Sequence, residues 1–74
     1  MIAHAQDQTR ILRIKAERLK RGWRLEDLAC YARMSAADIS RIENRRLIPY
    51  DAHAQRLAAV LGLRPEELTQ EVEP

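Results

Sequence analysis

Cysteine, glycine and aromatic residues are scarce in this chain, and each scarcity excludes something. The single cysteine, Cys30, cannot close an internal disulfide, which fits a protein of the reducing cytoplasm. With one Cys and two histidines far apart in sequence, His4 and His53, no metal-ligand spacing appears and no metal or other cofactor is expected. Phe is absent and aromatics make up 4% of the residues, with few β-branched runs, so an all-β architecture is disfavoured. No apolar run approaches the roughly 18 residues that a membrane span needs, so no membrane partner is expected. The opening residues, Met1-Ile-Ala-His-Ala-Gln-Asp, lack the basic stretch and apolar core of a secretory signal. With only two Gly there is no glycine-rich phosphate loop, and no nucleophile motif is present. The paired carboxylates Glu66 and Glu67 suit the first turn of a helix better than a catalytic site. An enzyme and a small-molecule ligand are therefore not expected.

Leu, Ala, Arg and Glu dominate what remains, and these are good helix formers. Seventy-four residues make one domain, burying only about 60% of the surface of its unfolded chain. At 46% apolar and 32% charged, the composition is that of a globular domain. The net charge of +2 conceals a division. From Arg64 onward there is one base against four acids, whereas residues 1–63 carry 12 bases against 7 acids. Polyphosphate attracts the body and repels the tail. Solubility alone would also account for these charges, so charge by itself does not decide between the two.

Residues 1–8 carry no periodicity and read as a flexible arm preceding a domain of residues 9–74. Thr9 is placed to cap a first helix running to Arg21, with Ile11, Ile14 and Leu19 as its apolar positions. Gly22 ends it in the left-handed conformation. Trp23 then reads as a core or staple residue, with base stacking as the rarer alternative. A second helix spans Leu25–Ala32, with Glu26 and Asp27 in its first turn, where the dipole favours acids. Ser35 and Asp38 match the capping pattern that opens a third helix, at about 36–43. Asn44 is the residue best suited to a left-handed cap there. Pro49 and Asp51 signal a fourth helix to Leu61, closed by Gly62, and Pro65 begins a short fifth. The expected fold is all-α, a compact five-helix bundle.

The decisive stretch is Leu25 to Glu43. Leu28 and Ala29 point inward from the second helix and Ile39 and Ile42 from the third, with Met34 at the corner. Residues three and four apart share a helix face, so Ala36, Ala37, Ser40, Arg41 and Asn44 fall together on the outside. A helix with a buried seam and an outward row of small and hydrogen-bonding residues fits a DNA major groove.

Taken in order, the chain resembles the phage repressor and Cro class of helix-turn-helix proteins, the XRE-like family, over roughly Ile14 to Leu68. The likeness rests on Ile14 and Arg18, then Gly22, Glu26, Leu28 and Ala29, then Ser35 and Ile39-Ser-Arg-Ile-Glu43. It continues with the basic loop ending in Pro49, Leu57-Ala-Ala-Val-Leu-Gly-Leu63 and Pro65-Glu-Glu-Leu68. The resemblance implies a transcriptional regulator that binds double-stranded operator DNA as a two-fold homodimer, with helices 2 and 3 as the helix-turn-helix. It also implies an ion pair between Arg18 and Glu43, buried and costly to break or superficial and worth little. The departures are Leu25 where a phosphate-binding Gln is common, and Arg33 and Arg45 where Gly is usual. A positive φ at Arg33 would be strained, so a reshaped turn is expected there.

On this reading the base-reading candidates are Ala36, Ala37, Ser40 and Arg41. Arg41 is suited to guanine O6 and N7, with phosphate contact as its alternative role. The phosphate candidates are Arg24, Leu25, Ser35, Asn44, Arg45 and Arg46. Leu47, Ile48 and Tyr50 are the candidate dimer surface. Cys30 falls on the exposed side of its helix, as a surface thiol rather than a redox sensor. The alternative function is a helix-turn-helix scaffold reused for protein contact, as in an antirepressor, antitoxin or assembly module. Ala36, Ala37, Asp38 and Arg33 favour it; Arg41, Asn44, Arg45 and Arg46 favour DNA.

Overall fold

The computed structural model describes residues 10–74, so the arm assigned to 1–8 and the cap assigned to Thr9 lie outside the described residues. The order is β1 (Ile11–Leu12), α1 (Arg13–Lys20), α2 (Leu25–Ala32), α3 (Ala36–Glu43), α4 (Asp51–Leu61), a 3-10 turn (Pro65–Glu67) and β2 (Glu71–Val72). Two expectations are corrected. The expected fifth helix is a three-residue 3-10 turn, and the fold is not purely helical. β1 and β2 form an antiparallel ribbon in which Ile11 pairs with Val72 and Leu12 with Glu71. The ribbon also explains why α1 starts at Arg13 rather than near residue 9. The first N–H groups of a helix have no partner within it. Here Arg13 N–H donates to Gln70 O at 2.8 Å and Ile14 N–H to Leu68 O at 3.0 Å, so the C-terminal segment caps the helix.

The core draws on all four helices, on β1 and on Leu68 just after the 3-10 turn. Ile14 from α1, Leu28 from α2, Ile39 and Ile42 from α3, Leu57 and Leu61 from α4, and Leu68 are all fully buried. Each such side chain contributes about 1.5–3 kcal/mol of apolar transfer. Leu12 joins them from β1, while Leu19, expected to be an apolar position of the first helix, is half exposed. Met34 packs against this core at the corner between α2 and α3.

All four helices end on a residue of positive φ: Gly22, Arg33, Arg45 and Gly62. In each case a backbone N–H just beyond the end reaches back to a carbonyl of the last turn. Trp23 N–H donates to Arg18 O, Met34 N–H to Ala29 O, Arg46 N–H to Arg41 O and Leu63 N–H to Ala58 O. The α2–α3 turn therefore keeps its tight left-handed form with Arg33 at φ 56°, ψ 53°, rather than being reshaped. After α3 the left-handed residue is Arg45, at φ 63°. Asn44, expected to take that role, sits at φ −96°.

The Arg33 turn is held from α4. Arg56 Nε donates to Ala32 O at 2.9 Å and Nη2 to Arg33 O at 3.4 Å, satisfying carbonyls that α2 leaves free. Those contacts use the Arg33 backbone only. Because an L-residue pays about 1–2 kcal/mol to sit left-handed and Gly does not, Arg33→Gly should relieve strain. Part of that gain is lost to the greater freedom of Gly in the unfolded chain. A net stabilisation of about 0.5–1 kcal/mol is expected, read as a rise of a few degrees in thermal midpoint.

Candidate nucleic-acid interface

α3 is fixed to the body through one buried ion pair. Arg18 Nε donates to Glu43 Oε2 at 2.7 Å and Nη2 to Glu43 Oε1 at 2.9 Å, a two-pronged contact between residues 8% and 6% exposed. The remaining prong is used as well: Arg18 Nη1 donates to Trp23 O at 2.8 Å. The Glu43 carboxylate raises the Arg18 pKa above its already high value, so this guanidinium stays charged. Its geometry therefore joins α1, the α1–α2 corner and the end of α3. Beside it, Trp23 packs against the core and its ring lies 4.7 Å from the Tyr31 ring.

With its inner side held by Ile39, Ile42 and Glu43, α3 turns the opposite side outward. Ala37, Arg41 and Asn44 are exposed, Ser40 is half-buried, and Ala36 leans against the core. Ser35 caps the helix, its Oγ accepting from Asp38 N–H at 3.0 Å, which leaves the hydroxyl proton available to a phosphate. The Asn44 amide turns back on the helix, Nδ2 donating to Ser40 O at 2.8 Å. Arg41 Nη1 donates to Asp38 Oδ1 at 2.9 Å.

The candidate phosphate residues are not equivalent. Arg24, Arg45 and Arg46 are exposed, but Arg45 Nη2 is paired with Glu71 Oε2 at 3.1 Å on β2. Leu25 offers only its backbone N–H, because its side chain packs against the core. That N–H stands in the first turn of α2, where helix N–H groups lack partners and the positive dipole end lies. Arg24 N–H next to it is already taken by Asp27 Oδ2 at 2.8 Å. Of the three apolar candidates, Leu47 leans inward on the core, whereas Ile48 and Tyr50 are 86% and 70% exposed.

Three polar features escaped the sequence reading. Glu17 is a buried hub contacted by Arg13, Lys20 and Arg21, and the Arg21 hydrogen bond holds its carboxyl below the ordinary carboxylate range. Arg56 and Glu71 carry the α2–α3 turn and the Arg45 contact, respectively. Only the i, i+4 spacing of Glu17 with Arg13 and Arg21 signalled any of these in advance. Among the described residues no cluster of His, Cys, Asp or Glu could hold a metal ion, and no helix is long and apolar enough to cross a membrane.

The order of these elements, with a left-handed turn before an outward-facing third helix, coincides with a known pattern. A family model described as Helix-turn-helix matches residues 14–68. The chain belongs to the XRE-type helix-turn-helix family. No curated protein and no solved structure gives a significant match. The family match runs from Ile14 in α1 to Leu68 after the 3-10 turn, so it includes the ion pair and leaves out both strands of the ribbon. Its character is that of DNA-binding regulation rather than catalysis.

Proposed function

We propose that this helix-turn-helix protein is a sequence-specific transcriptional regulator of the repressor and Cro type, docking α3 in the major groove of operator DNA. One observation supports this above the others: Ala37 and Arg41 are exposed on a helix whose far side is immobilised by Arg18 and Glu43. Around them Arg24, Ser35, Arg45 and Arg46 supply donors for phosphate oxygens. Ala36, Ala37 and Ser40 offer methyl and hydroxyl contacts to base edges, and Asn44 a contact to base or backbone. The exposed pair Ile48 and Tyr50 is the proposed seam of a two-fold dimer, with residues 9–74 as the domain and 1–8 as an arm. The reading needs no cofactor and places the protein in the cytoplasm. The use of the scaffold for protein contact remains the second reading, favoured by the apolar Ala37 and the acid at Asp38 on the outward face.

Salt separates the two. With Arg24, Arg45 and Arg46 of two protomers neutralising phosphates, the log–log salt slope should be about −5. Affinity for a random duplex, measured by fluorescence anisotropy, then falls about 10³-fold between 50 and 200 mM salt. A chain that binds no duplex at either concentration is a protein-contact module.

A further inference from the structure

The outward face of α3 is short of hydrogen-bonding groups. Ala37 offers a methyl group, Ser40 is half-buried and the Asn44 Nδ2 is turned back to donate to Ser40 O. Arg41 is the one long exposed donor in the row, and its side chain, 58% exposed, is already held by Asp38. The holder is itself held. Asp38 has its backbone N–H fixed by Ser35 Oγ at 3.0 Å, and its carboxylate, one-third exposed, accepts from Arg41 Nη1 at 2.9 Å.

The geometry points to Asp38 as the positioning residue that aims Arg41 at a guanine, and hence as a determinant of operator sequence. This rests on the reading of α3 as the recognition helix. A guanidinium carries five N–H donors in a rigid fork. With Asp38 engaging Nη1, the Nε–Nη2 edge keeps two parallel donors, the pattern that guanine O6 and N7 accept. The i, i+3 contact also draws the fork back along the helix toward its N-terminal end, past Ala37, whose methyl leaves that space open. Unheld, a long arginine on an exposed helix face would spread over many rotamers and reach phosphates as readily as bases. Asp38 is at the same time a negative charge beside DNA, so it weakens sequence-independent attraction. The two effects have opposite signs, and that opposition is the test.

Asp38→Asn keeps the Ser35 cap, which uses the Asp38 backbone, and removes the charge that grips Arg41. Anisotropy titrations compare the wild-type chain, Asp38→Asn, Arg41→Ala and the double variant. The probes are the duplex that the wild-type chain selects from a randomised pool, its single base-pair variants, and a random duplex. Asp38→Asn should lower the preference for guanine at the Arg41-dependent position by about three- to fivefold. Binding to the random duplex should tighten by about two- to threefold, and the thermal midpoint should stay within a few degrees. In the Arg41→Ala background the effect on preference should vanish, because nothing is left to aim. If Arg41→Ala relaxes a guanine preference that Asp38→Asn leaves within twofold, the role of Asp38 is wrong while the DNA reading stands. If Asp38→Asn still shifts preference without Arg41, Asp38 reads a base itself and the positioning role is overturned. A wild-type chain that selects no sequence overturns both.

Discussion

Replacing Glu43 with alanine is expected to destabilise the domain by about 3–5 kcal/mol, the usual loss when one partner of a buried ion pair is removed. The attraction itself is not the source of that figure. Both residues are under a tenth exposed, so deletion of Glu43 strands the Arg18 guanidinium among Trp23, α1 and α3 with a single remaining carbonyl acceptor. At roughly 0.05–0.15 kcal/mol per residue, a chain of this length holds about 4–11 kcal/mol in all, so the loss takes it close to unfolding. The thermal midpoint followed by circular dichroism should fall by about 15–30 °C. The pair Arg18→Met with Glu43→Leu, which removes both charges and fills the space, should recover most of that loss. A Glu43→Ala cost below about 1 kcal/mol would mean that the pair is solvated like any surface pair.

The second large effect concerns binding with stability untouched. Ala37 is exposed and is not among the residues packed on the core, so Ala37→Glu should change stability by no more than about 0.5 kcal/mol. In the major groove the same carboxylate would face base edges and two phosphate backbones without a counter-charge. Like-charge juxtaposition of this kind costs several kcal/mol, and each 1.4 kcal/mol is a factor of ten. Loss of DNA affinity by a factor of about 100 or more is therefore expected, at an unchanged melting temperature. Unchanged affinity would place the contact surface elsewhere on the protein.

The helical part of this fold was legible because its signals agree with one another. Leu28, Ala29, Ile39 and Ile42 recur at helical spacing, and the Ser35 cap falls where the periodicity resumes. Ser35 and Glu43 accordingly bracket a helix at the expected bounds. The ribbon was not legible, because two strands of two residues each carry too few positions to show a period of two. Ile11 and Leu12 fit a helix as well as a strand, and what decides is Val72, some sixty residues away. Pro65 marked a helical start correctly, but the turn it opens ends after Glu67, where Leu68 is pulled wholly into the core. Arg33 and Arg45 show a further limit. Arginine by itself avoids positive φ, while Arg56 and the returning N–H groups of Met34 and Arg46 impose it.

At the candidate interface, the sequence predicted which residues share a face but not what each one already holds. Ser40 and Asn44 read as free polar groups, yet Asn44 Nδ2 is turned back one helical turn to donate to Ser40 O and Oγ. Leu25 and Leu47 read as surface residues and are drawn onto the core. Arg45 looked like an unhindered phosphate donor, whereas Glu71 of the acidic tail lies against it. The Arg45–Glu71 pairing spans 26 positions and leaves no local trace in the sequence.

The central claim is that DNA meets the outward side of α3, and amide chemical shifts test it most directly. Titration of a duplex into isotopically labelled protein at 50 mM salt should perturb residues 35–46 and the start of α2 around Arg24 and Leu25. Cys30, exposed on α2, and the 3-10 turn should stay unmoved. Shifts confined to Ile48, Tyr50 and α4, or no shifts at all, would contradict the account.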